Sequence, residues 1–178
     1  MGTGGPSTTA TIATAVARLE HTVSRRPDIG VTTHRSVTVV ADGLRCTTEE
    51  GPWTIAADLP EALGGSRSAP TPGALVRAAV GSCMAMSYRL RAARHGVELR
   101  SVRVTVEADA ALAGMLLCDA EEPPGFSEVR YHVEVESDAS AADVRRVLDE
   151  GDRLSPLLDV LARATAVRRT ISIRPVGS

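Results

Sequence analysis

The residues of this chain best suited to covalent chemistry are its three cysteines, Cys46, Cys83 and Cys118, and its four histidines, His21, His34, His95 and His132. The histidines stand at no metal-ligand spacing from one another or from a cysteine, which argues against zinc. The cysteines are odd in number and widely separated, so they do not make the framework of a secreted disulfide protein. They point to a reducing, cytoplasmic compartment. There a thiol acts through its thiolate, whose fraction rises beside a cation or at a helix dipole. No glycine-rich phosphate loop occurs, and Val80-Gly-Ser-Cys83 lacks the second glycine of a nucleophile elbow. No cofactor and no metal are expected.

Of the three thiols, only Cys83 has a well-defined approach. Pro70 and Pro72 hold the entry extended, Thr71 is the N-cap, and Pro72 falls at the first helical position, where a missing N–H costs nothing. The helix runs from Pro72 through His95 and stops at Gly96, with Arg94 and His95 set against its C-terminal dipole. At about 100° per residue, Leu75, Val76, Ala79, Val80, Met86, Ser87 and Leu90 share a broad face with Cys83. The thiol therefore faces the core or an interface. Arg91 lies about two turns on and ~80° round, and Arg77 is ~120° away, so an activating Arg comes from elsewhere in the chain. On local evidence alone Cys83 reads as a small buried hydrophobe. Cys46, at a strand end beside Arg45, and Cys118, in an apolar loop, read as structural.

Composition narrows the partners. Hydrophobic residues make up 43% and charged residues 24% of 178, and the net charge of −2 offers no general attraction to nucleic acid or an anionic membrane. Aromatics are 2% of the chain, so bases have no stacking platform and the core is aliphatic. No stretch approaches the ~20 apolar residues that span a bilayer, and no export signal precedes the first helix.

The elements that position Cys83 follow from periodicity. Residues 1 to 7 read as a flexible terminus, and Ile12, Val16, Leu19 and Val23 make an amphipathic helix over Thr8 to Arg25 that could pack on a neighbouring subunit. Together, residues 1–30 read as a flexible N-terminus plus helical arm, and 31–178 as the main domain. Strands are expected at Val31–Val40, Leu44–Thr48 and Trp53–Ala57, with a two-residue Asp42-Gly43 turn in the first hairpin. Further strands are expected at Leu99–Ala108, Glu128–Ser137 and Val167–Arg174. A loop or short helix fills Ala110–Gly125, and helices run over Ala141–Arg153, with Val144, Val147 and Leu148 inward, and Leu157–Arg163. The order β-β-β-α-β-β-α-β argues an α+β fold. Two hydrophobic helices for six strands invite a dimer that shares them.

Four segments in combination resemble the OsmC/Ohr family of thiol-dependent, peroxide-detoxifying proteins. They are Asp58-Leu-Pro-Glu-Ala-Leu-Gly-Gly65, Ala69-Pro-Thr-Pro72, Ala78-Ala-Val-Gly-Ser-Cys83, and the run from Arg94-His-Gly to Val104-Thr-Val106. The similarity covers about residues 31–175. It implies an α+β, intertwined homodimer in which antiparallel sheet wraps two central helices, with sites at the dimer interface. It also implies a peroxidatic cysteine at Cys83 that reduces organic hydroperoxides, and an external dithiol as reductant. The resolving cysteine of such proteins maps onto Ser155, which cannot form a disulfide. Gly73 and Ala74 stand where many members carry a Glu that holds an activating Arg, and Arg45 is the nearest candidate for that Arg. Resolution would then fall to external thiol, or to Cys118 or Cys46, and Ser155 could instead donate a hydrogen bond to the Cys83 thiolate. The alternative is a non-catalytic OsmC-like protein that binds a small apolar ligand at the interface.

Overall fold

The computed structural model describes residues 8–117 and 121–175. The terminus at residues 1–7 and Cys118 lie outside them. Among the described residues the fold is α+β, with five α-helices and two antiparallel sheets of three and two strands.

Helix α2 (Pro72–Arg94) is the element on which the rest is laid. Thr71 Oγ1 accepts from Ala74 N at 3.2 Å and Pro72 begins the first turn, as the sequence requires. Such a cap is worth about 1 kcal/mol. At the other end Gly96 takes φ +68°, Val97 N donates to Ala92 O at 2.8 Å and Gly96 N to Ala93 O at 3.2 Å. That pairing is the Schellman closure, and burial of Val97 beside Ala92 supplies its apolar contact.

Strands β4 (Ser101–Ala110) and β5 (Phe126–Glu136) pair antiparallel, with Val102 opposite Val135, Val104 opposite Val133 and Val106 opposite Tyr131. Their valines pack on Val80, Met84, Tyr88 and Leu99, while Arg103, Thr105 and Glu107 face outward. The short helix α3 (Leu112–Leu116) lies in the connection between them. Helix α4 (Ala141–Arg153) is capped by Ser140 Oγ, which accepts from Asp143 N, and it brings Val147 into the same core. Val144 and Leu148 pack beside it. Helix α5 (Pro156–Ala162) follows one sharp turn later. Strands β1 (Ser36–Val40), β2 (Cys46–Glu50) and β3 (Trp53–Ala57) form the separate sheet, and α1 (Thr8–Arg25) lies along α2.

Several expectations change. Strand β1 begins at Ser36 because β2 ends at Glu50, Ser36's partner, leaving residues 31–35 nothing to pair with. The first hairpin is joined by Ala41–Arg45 with Gly43 at φ +68°, so β2 starts at Cys46 and not at Leu44. On α2 the buried face is Val80, Met84, Ser87, Tyr88 and Ala92. Met86 is 60% exposed, and Val76 and Leu90 lie on the same uncovered side. The two faces are adjacent, and which one is buried depends on where β4 and α4 dock, a non-local matter. Residues 167–174 are not in a strand, with Val167 91% and Ile173 88% exposed. An alternating segment becomes a strand only against an edge, and among the described residues none receives it. No helix among the described residues is long and apolar enough to cross a membrane.

Candidate functional site

Cys83 sits at the middle of α2, half-buried and reduced, one turn before the buried Ser87 and Tyr88. The turn between α4 and α5 brings Ser155 against it, with Cys83 Sγ 3.7 Å from Ser155 Oγ across 72 residues of sequence. Ser155 is 2% exposed. Its hydroxyl also accepts from Leu158 N at 3.4 Å as the N-cap of α5, and Pro156 occupies the first helical position behind it. An oxygen that already accepts the capping N–H still has its own proton to donate. Cys83 Sγ lies within hydrogen-bonding distance of that hydroxyl, and either atom can be the donor.

The α4–α5 turn is itself tied to α2 and β5. Tyr88 Oη donates to Asp152 Oδ1 at 2.5 Å, and Tyr131 Oη donates to Asp152 Oδ2 at 3.0 Å. Ser87 Oγ donates to Gly151 O at 3.1 Å. Burial, and then the bond to the Asp152 carboxylate, pushes both tyrosine hydroxyls above their ordinary range, so both remain donors. Glycine at 151 lets the helices meet: a Cβ there would lie 2.5 Å from Tyr88 Cδ1. At the entry to α2, the Phe126 ring lies 3.4 Å from where a Cβ on Gly73 would stand.

Arg45 goes elsewhere. Its guanidinium donates to Ser68 Oγ at 3.0 Å and Ser68 O at 3.4 Å, and no hydrogen bond joins it to Cys83 among the described residues. Ser68 belongs to a nest around Asp58, which is 2% exposed. Asp58 accepts from Leu59 N, from Ser66 N and Oγ, and from Ser68 N and Oγ, at 2.7–3.2 Å. These bonds, that from the Ser66 hydroxyl foremost, hold the Asp58 carboxyl well below the usual carboxylate range. Asp58 N donates to Pro70 O, so the nest fixes the loop that enters α2. Sequence reasoning passed over this group, although an Asp followed by Ser66 and Ser68 offers the donors.

A second charged group joins three helices. Glu150 on α4 meets His95 Nε2 at 2.5 Å, Arg94 Nη1 at 3.5 Å and Arg91 Nη1 at 3.7 Å, and Arg94 reaches Glu20 of α1 at 3.2 Å. His95, foremost, and the two arginines keep the Glu150 carboxyl below its ordinary range. Cys46 is half-buried in β2 opposite Ala57, remote in sequence from this assembly. Cavities of about 750 Å³ beside Met86 and Leu90, and about 550 Å³ between β5 and α5, are lined without Cys83. No group of three or more His, Cys, Asp or Glu side chains that could hold a metal lies among the described residues.

No curated protein matches the chain. Among solved structures it is similar to the OsmC-like protein of Mycoplasma pneumoniae, at 16% identity over 74% of this chain and 88% of that one, with a TM-score of 0.62. It is similar to the organic hydroperoxide resistance protein OsmC of Legionella pneumophila, at 19% identity over 74% and 90%, TM-score 0.55. It is also similar to the organic hydroperoxide resistance protein of Elizabethkingia anophelis, at 14% identity over 72% and 87%, TM-score 0.56. At such identities these likenesses speak to the fold. The sequence family described as OsmC-like protein matches residues 64–169, a span that holds both Cys83 and Ser155 and more than half the chain, and the chain therefore belongs to the OsmC-like protein family.

Proposed function

We propose that this protein is a thiol-dependent redox protein that reduces organic hydroperoxides through Cys83, acts as a homodimer in the cytoplasm, and relies on an external dithiol to resolve the oxidised cysteine. The observation that carries the reading is the contact of Cys83 Sγ with Ser155 Oγ at 3.7 Å. The contact puts a hydroxyl, which can donate to sulfur, beside the half-buried thiol whose thiolate is the form that attacks peroxide. The thiolate takes the terminal OH of ROOH. An S–O bond forms, the O–O bond breaks, and the alkoxide leaves to collect a proton as ROH. Cys83 is then a sulfenic acid. Serine at 155 offers no second thiol. One thiol of the dithiol therefore condenses with the sulfenic acid, forming a mixed disulfide and releasing water, and the second displaces Cys83 as a thiol while the reductant leaves as its own disulfide. Two solved proteins of the same fold named for organic hydroperoxide resistance support the substrate class.

The test uses the full chain in a Cys46→Ser, Cys118→Ser background. Cumene hydroperoxide should be consumed catalytically under excess dithiol, and dimedone should trap one adduct at Cys83; Cys83→Ser should abolish both. Absence of consumption and of the adduct would instead leave a binding protein for a small apolar ligand.

A further inference from the structure

We infer that Asp152, gripped by Tyr88 and Tyr131, is a positioning residue for the Cys83 site: the clamp fixes the α4–α5 turn and so sets the Ser155 hydroxyl against the thiol. This rests on the reading that Ser155 supports the Cys83 thiolate.

The carboxylate takes one hydroxyl on each oxygen, Tyr88 from α2 at 2.5 Å and Tyr131 from β5 at 3.0 Å. Tyr88 is 1% exposed and lies five residues beyond Cys83 on the same helix. Asp152 stands three residues before Ser155, and Ser155 N donates to the Asp152 backbone oxygen at 3.2 Å. The route is short. From the thiol it runs down α2 to Tyr88, across to Asp152, and through one turn of backbone to Ser155 and back to the thiol. Closing that ring leaves the turn little freedom to slide along α2, and Ser87 Oγ on Gly151 O adds a second tie. The sulfur–oxygen contact is long for a hydrogen bond, so a displacement of a few tenths of an ångström would lose it. The Tyr88 ring also lies against Gly151, so the clamp acts at a close contact between α2 and α4. Oriented hydrogen bonds of this kind supply direction where apolar packing supplies only proximity.

The experiment measures iodoacetamide alkylation of Cys83 in the Cys46→Ser, Cys118→Ser background, as the ratio of the rate at about pH 7 to that at about pH 10, where thiols are ionised. Tyr88→Phe and Asp152→Leu should lower the ratio roughly threefold or more. Asp152→Asn, whose one oxygen retains a hydroxyl, should fall between these variants and the parent. Tyr131→Phe changes a partly exposed side chain that the core does not need, and it should lower the ratio with its melting temperature near the parent's. A merely structural role would move melting temperature and leave the ratio alone. If Ser155→Ala lowers the ratio and folded Tyr131→Phe and Asp152→Asn do not, the clamp is overturned while the Ser155 reading stands. If Ser155→Ala leaves the ratio unchanged, that reading falls first.

Discussion

A hydroxyl 3.7 Å from a thiol differs from a thiol pair by one atom, and in the proposed reaction that atom governs how an oxidised Cys83 is relieved. Restoring sulfur by Ser155→Cys should give, on addition of hydroperoxide, a disulfide between Cys83 and the new thiol, seen by non-reducing peptide mapping. The sulfur–oxygen gap exceeds the ~2.05 Å of an S–S bond, and closing it needs side-chain rotation at both ends. Loss of the serine N-cap of α5 should cost about 1 kcal/mol. A sulfenic acid that persists with no disulfide would mean that the turn holds position 155 too rigidly to react. The pair was not legible from spacing, since 72 residues separate the two. It emerged from resemblance of motifs, which joined Cys83 to Ser155, while within one chain Arg45 bonds Ser68. The partners of Asp152 and Asp58 went unread for a related reason. Which polar atoms meet a buried carboxylate depends on how distant segments dock, and no local pattern records it.

Among the elements, α2 was the most legible because its limits are chemical. Thr71 and Pro72 start it and Gly96 ends it, and each acts within a few residues of sequence. Its buried face was harder to read, because Tyr88 looks polar until Asp152 receives its hydroxyl and Gly151 its ring. That contact between α2 and α4 can be probed directly. Gly151→Ala would place a Cβ 2.5 Å from Tyr88 Cδ1 and 2.8 Å from Cε1, so the ring, packed among core residues and held by Asp152, must shift to admit it. Overpacking of this kind costs ~1–3 kcal/mol, while replacing a helical glycine by alanine returns up to ~1 kcal/mol. The first effect wins in a closed contact. Melting temperature should therefore fall by about 2–4 °C per kcal/mol of net loss, read by calorimetry. An unchanged or raised value would mean that the two helices part without resistance.

At the scale of the whole molecule, the exposed apolar surface is where the proposed homodimer would be built. Trp53 is 69% exposed on β3, Val39 and Val40 are exposed on β1, and Met86 and Leu90 line α2. Ile171 and Ile173 project from the C-terminal segment. The sheet β1–β3 packs only slightly on the rest of the chain. Large exposed apolar patches mark contact surfaces, and in the proposed homodimer a second copy of the chain would cover them. The expected species in sedimentation is thus twice the 18.6 kDa chain. Replacing Val39 and Trp53 together by Asp should shift it toward the single chain, because a charge buried without a partner opposes association. The alternation of Val167, Ile171 and Ile173 makes the same demand on residues 167–174. A sheet edge supplied by the second copy would turn them into the strand that periodicity predicts, and their amides should then be protected from hydrogen exchange in the associated species and exposed in the dissociated variant. A parent protein that sediments as one chain, with these amides exchanging freely, would return the sixth strand and the shared helices to mere pattern.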